Sequence, residues 1–136
     1  MEVKNRVVMP PMGIVFGVDE EGYVTPQLTA YFAERAKSRP GMITVGGSTV
    51  NPIGAVDPVL VALYEDRFIP ALEKMTEAVH NYDVKFGIQL IHGGVQSGVE
   101  NPVGPSTVNA LAMVHGNARG MSKEEVNDTN KDHRTP

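Results

Sequence analysis

The sequence predicts an α/β fold built on parallel strands, and three observations predict it. β-rich or apolar runs begin near residues 6, 42 and 85. Helix-patterned stretches follow the first two runs, and each run ends in a glycine-containing loop: Pro11-Met12-Gly13, Gly46-Gly47 and His92-Gly93-Gly94. Strands alternating with helices at this spacing imply crossover connections and parallel pairing. The three loops would then share one rim, at the strand ends where α/β proteins build their sites. A doubly wound sheet could open the same way, but no Gly-x-Gly-x-x-Gly follows a strand, which disfavours a dinucleotide site.

Arg6 to Met9 is the first strand, stopped by Pro10 and Pro11, which cannot donate ladder hydrogen bonds. Asp19 to Tyr23 is a polar turn. Thr25 is positioned as an N-cap with Pro26 at the first helical position. Leu28, Tyr31, Phe32 and Ala36 then fall on one helix face, with Glu34, Arg35 and Lys37 elsewhere. Tyr31 and Phe32 read as packing residues rather than ligand contacts.

Met42 to Val45 is the second strand. The glycines at its end either permit an unusual turn or let backbone approach a flat or anionic ligand with no Cβ in the way. Asn51 to Tyr64 is an excursion punctuated by Pro52, Gly54 and Pro58. Asp66 is an N-cap for a second helix with the apolar stripe Ile69, Leu72, Met75 and Val79, a core stripe despite its methionine. His80 falls at that helix's C-terminus and reads as a surface residue complementing the helix dipole.

Phe86 to Ile91 is a third strand, apolar enough to be buried on both faces. Gln89 is the polar residue inside it, and a buried carboxamide needs hydrogen-bond partners from the fold or from a ligand. Val95 to Met121 shows no periodicity and reads as a long functional loop. Ser122-Lys123-Glu124-Glu125 is a capping box, but the helix it opens is expected not to develop, because Asn127 to Pro136 contains no apolar residue.

Composition narrows the function. The 136 residues are 41% hydrophobic and 21% charged, enough for one core. A net charge of -4 gives no nucleic-acid or anionic-membrane surface. The absence of cysteine excludes disulfides, a thiol nucleophile and cysteine-held zinc or iron–sulfur groups within this chain. No apolar run approaches the ~20 residues of a membrane span, and the N-terminal stretch lacks a signal-peptide pattern, so a cytoplasmic protein is expected.

Taken in order, Asn5-Arg6-Val7-Val8-Met9-Pro10-Pro11-Met12, Gly22-Tyr23-Val24-Thr25, Tyr31 to Lys37, Gly41-Met42-Ile43-Thr44, Ala78-Val79-His80, Gln89-Leu90-Ile91-His92-Gly93-Gly94, Gly104-Pro105-Ser106 and Met121 to Glu125 resemble the Old Yellow Enzyme family of FMN-dependent (β/α)₈ oxidoreductases. The branch of 2,4-dienoyl-CoA and 2-enoate reductases is the nearer resemblance. It implies the first three βα units of a TIM barrel, with residues 1–126 a partial FMN-binding domain and 127–136 a polar tail outside the family pattern. It implies that Pro11, Met12 and Gly13 run along the isoalloxazine, that Gly47 lets the flavin's pyrimidine side approach, and that Gln89 bonds its polar edge. The implied chemistry passes hydride from NAD(P)H through FMN to an activated C=C bond of a small-molecule substrate.

Two positions depart from the family pattern. Val95 stands where the family usually has an arginine, and Gly13 where some members carry a hydroxyl or thiol. The catalytic pair and the FMN-phosphate residues have no counterpart here. A full barrel needs ~250 residues, so the chain is expected to be an N-terminal fragment, inactive alone, whose partner is the remaining part or a second copy. The alternative is a non-catalytic α/β module, stable only with a partner or as an oligomer. His92 and His115 either support the long loop or lie near the flavin.

Overall fold

The computed structural model describes residues 1–56, 60–109 and 117–134. Its main sheet contains β1 (Val8–Met9), β2 (Met42–Thr49), β3 (Val61–Ala62) and β4 (Lys85–Ile91), all parallel. β1 pairs with the start of β2 and β3 with its end, while β4 pairs along β2 from Met42↔Lys85 to Thr49↔Ile91. Of the three strand starts read from the sequence, Met42 holds to the residue, the third strand begins at Lys85, one residue before Phe86, and the first begins at Val8 rather than Arg6.

The helices α1 (Pro26–Ala36) and α2 (Ile69–His80) cover one face of this sheet. Leu28, Phe32 and Ala36 of α1 join Met75 and Val79 of α2 over Ile43 and Val45, as the 3.6-residue spacing requires. Phe32 is fully buried, edge-on to Phe86 at 5.5 Å, a burial contributing roughly 2–3 kcal/mol. Tyr31 is only half buried, with the Arg35 guanidinium 3.2 Å over its ring. Thr25 flanks α1 at the N-cap position, but its hydroxyl donates to the Gly17 carbonyl rather than accepting from the helix. The Asp19–Tyr23 turn closes through the Asp19 carboxylate, which accepts from the amides of Glu21 and Tyr23.

Four expectations need correction. The second strand does not stop before its glycines but runs through them to Thr49. Asp66 does not cap α2: Asp66–Phe68 form a 3₁₀ turn and the α-helix begins at Ile69, with Pro70 in its first turn. The stretch from Val95 onward is not structureless; β5 (Val103–Gly104), β6 (Val108–Asn109) and β7 (Asn117–Gly120) form a small sheet in the order β5-β7-β6.

The last correction is α3, which runs from Lys123 to Asp132 instead of failing after Val126. Polar contacts replace the missing apolar stripe. The capping box is complete, Thr129 bonds back to the Glu125 carbonyl, Lys131 pairs with Asp128, and the Asp132 carboxylate accepts from the Asn51 amide at 2.7 Å. Among the described residues no helix is long and apolar enough to cross a membrane.

Candidate functional site

The site is a one-residue irregularity in β2. Phe86 sits with the helices, so by the two-residue period of a strand Ile88 shares its face while Gly87, Gln89 and Ile91 point the other way. Ile43 and Val45 pair with Phe86 and Ile88 on the helix side. Regular pairing would put Gly46 opposite Gln89. Instead the register slips between Val45 and Gly47, so that Gly47 pairs with Gln89 and Thr49 with Ile91. Gly46 is the extra residue of a β-bulge, and the bulge re-aims Gly47 onto the face of Gln89.

Gly46 is sterically required, whereas at Gly47 only a side chain that can yield stands in the way. A Cβ on Gly46 would lie 1.9 Å from the Met12 carbonyl oxygen, so the exit segment of β1 lies directly against the bulge. A Cβ on Gly47 would reach 3.2 Å from Ile91 Cγ2. The bulge leaves the Gly46 carbonyl in need of a donor, and the fully buried Ser48 hydroxyl supplies one at 2.9 Å.

The structure therefore brings together what the sequence separated. The backbone of Met12, flanked by Pro11 and Gly13, lies against the bulge of β2 at Gly46, and Gly47 and Gln89 stand side by side on the open face. Pro11 and Gly13 are exposed, Met12 is 46% exposed, and a side chain at Gly13 would meet open space. One expectation fails: Gln89 is exposed, not buried, because β4 is covered by helices on one face only. The carboxamide faces the side that Gly47 faces, away from α1 and α2. A cavity of about 20 Å³ beneath Met12, bounded by Leu28, Val45 and Gly47, has room for a single water and cannot seat a flat ligand.

His92 directly follows β4 and supports the loop beyond it. Its Nδ1 accepts from the Gly94 amide at 3.0 Å and its ring presses on Gly54 of the 3₁₀ turn Pro52–Gly54. Burial is the main influence lowering its pKa from the usual histidine value. His115 falls outside the described residues. Val95 is half buried, with its Cγ1 against Gly104, so it packs under the small sheet. No group of three or more His, Asp or Glu side chains that could hold a metal occurs among the described residues.

Sequence reasoning missed Gly46, Ser48 and Ile91. From the sequence Gly46 reads only as a turn or ligand-approach glycine, because its seat against Met12 depends on a contact between residues 34 apart. A usable signal was the phase of β2: Ile43 and Val45 buried on one parity, then two glycines and a serine where the alternation breaks.

A parallel sheet whose crossover helices cover one face is the arrangement of a β/α-barrel unit. The chain belongs to the NADH:flavin oxidoreductase / NADH oxidase family, whose pattern matches residues 1–135. It is 33% identical over 129 residues to an NADPH dehydrogenase of Bacillus subtilis (strain 168), an alignment covering 95% of this chain and 38% of that protein. The fold matches the Old Yellow Enzyme of Pichia sp. AKU4542 with a TM-score of 0.86 at 22% identity, over 98% of this chain and 38% of the other. It matches the Old Yellow Enzyme homologue of Zymomonas mobilis with a TM-score of 0.83 at 24% identity, over 96% of this chain and 39% of the other. The chain thus supplies the first part of a (β/α)₈ barrel and spans well under half the length of these relatives.

Proposed function

We propose that this chain contributes the FMN-facing rim of a barrel flavoenzyme that takes hydride from NAD(P)H and delivers it to an activated C=C bond of an enoate or dienoyl substrate. The observation that carries this reading is the bulge, which sets Gly47 and the Gln89 carboxamide on one face beside the backbone of Pro11, Met12 and Gly13. A flavin is a flat apolar disc with one hydrogen-bonding edge, and the residues present fit it: main chain free of Cβ atoms for the disc, and an amide that both donates and accepts for the edge. FMN, when bound, would supply the two-electron relay between nicotinamide and substrate. Pro11, Met12 and Gly13 would hold the ring, Gly47 would admit it, and Gln89 would orient it. At Gly13 no side chain tunes the flavin's electronics.

The catalytic acid and the contacts to the FMN phosphate are assigned to sequence outside this chain, which leaves the chain inactive alone. The test adds FMN to the chain together with a polypeptide carrying the remaining barrel strands of a relative. A shifted flavin spectrum and NAD(P)H oxidation are expected, with Gln89→Leu weakening FMN binding about 10- to 100-fold through the lost polar contacts. An unchanged spectrum in the mixture, or Gln89→Leu binding as tightly as the parent, would refute the reading. A second reading, a non-catalytic module stable only with a partner, is favoured by one feature: β4 pairs with β2 alone among the described strands and exposes Ile88. A compact monomer by size-exclusion that ignores FMN even when the complementary polypeptide is present would exclude both readings.

A further inference from the structure

We infer that His92 is a proton-operated latch on the turn that follows β4: neutral, it holds the Gly94–Ser97 turn closed; protonated, it lets that turn open. The geometry fixes the chemistry. Nδ1 accepts the Gly94 amide at 3.0 Å, so the single proton of the neutral ring resides on Nε2. That Nε2 is buried without a hydrogen-bond partner among the described residues. The ring cannot swing to find one, since it is wedged against Gly54, where even a Cβ would come within 2.6 Å of Cδ2.

A second proton must therefore go to Nδ1, where it meets the Gly94 N–H head-on. The hydrogen bond is lost, two donors face each other, and a cation is left with no acceptor for its other N–H among the described residues. What this contact holds is a tight turn. Gly94 adopts a left-handed φ of +56°, and the Ser97 amide and hydroxyl both donate to the Gly94 carbonyl, at 3.1 and 2.8 Å. Both ends of the turn are tied to the neighbouring segment, Gly93 N–H to the Gly54 carbonyl and Gly98 N–H to the Ala55 carbonyl. His92 is thus the titratable member of an otherwise fixed frame. The turn starts a few residues beyond Gln89, so opening it changes the end of β4 at the rim.

Among the described residues, the charged groups acting on His92 are Asp132 at the end of α3 and His133 at its C-cap. Asp132 favours the protonated ring and His133 opposes it, while burial opposes it most. The Asp132 carboxylate is already engaged by Asn51. The 3₁₀ stretch Pro52–Gly54 brings no ionisable group. The sign follows. With the turn open, His92 has an ordinary pKa of about 6.5; with it closed, the pKa is lower. The latch therefore holds fully above about pH 6.5 and weakens as pH falls, by up to about tenfold in the open-to-closed ratio per pH unit until the closed form itself titrates.

The test is amide exchange and imidazole ¹⁵N spectroscopy on the full chain. The Nε2–H tautomer is expected at pH 8, with a Gly94 protection factor that falls by up to about tenfold per unit below pH 6.5, while Val45 in β2 is unaffected. His92→Asn supplies an oxygen that accepts the same i+2 amide without titrating, so Gly94 protection should become independent of pH; His133→Asn should leave the pH dependence in place. An Nδ1–H tautomer, flat Gly94 protection in the parent chain, or the parent's pH dependence surviving in His92→Asn would overturn the latch. The parent titration decides the matter even if a variant does not fold.

Discussion

Gly46→Ala should damage this protein far more than Gly47→Ala, although the two glycines are neighbours in one strand. At Gly46 the new Cβ would stand 1.9 Å from the Met12 carbonyl oxygen and 2.7 Å from its carbon. Ordinary contact needs roughly 3.5 Å, so the β1 exit segment or the bulge must move by more than about 1 Å. Both neighbours are backbone, and neither can rotate away. Overpacking of this kind costs about 1–3 kcal/mol, with Met12 displaced as well.

At Gly47 the obstacle is Ile91 Cγ2 at 3.2 Å, the end of a half-buried side chain that can yield by a few tenths of an ångström. Ala there should cost under about 1 kcal/mol, or stabilise slightly by restricting the unfolded chain. Urea unfolding of both variants, in parallel with amide shifts at Met12 and Gly13, measures the contrast. Equal midpoints for the two variants, or a Gly46→Ala protein with unshifted Met12 resonances, would refute the argument that the bulge is a seat for the β1 exit.

Two further perturbations test the frame around the site. Ser48→Ala removes the fully buried hydroxyl that donates to the Gly46 carbonyl; leaving that carbonyl unpaired should lower unfolding stability by about 1–2 kcal/mol, whereas a cost near zero would mean the bulge finds another donor. Arg119 and the Ser122 amide hold the Glu125 carboxyl down to about 2. With a folded pKa below the unfolded one, this clamp between β7 and α3 is fully present above pH about 4.5 and is lost as pH falls towards about 2. Carboxyl ¹³C titration should show it, and a Glu125 midpoint near the unfolded value would mean that the pair is not formed.

The sequence by itself determined the elements whose signal is local. Phe32 and Ala36 repeat at helical spacing, so α1 and its buried face were readable, and Ser122 with Glu125 announced the start of α3 through contacts three residues apart. The alternation of strand and helix fixed parallel pairing, and the order of motifs fixed the family. Only the tertiary structure decided the rest, because it depends on partners distant in the chain. Residues of one strand cannot reveal a bulge that exists relative to β4, so the re-aiming of Gly47 onto the face of Gln89 was invisible. The exposure of Gln89 was missed for a related reason: an apolar run such as Phe86 to Ile91 states that it can be buried, while the number of faces covered is set by what packs there. The extension of α3 to Asp132 likewise required Asn51, far away in sequence, to meet its last residue.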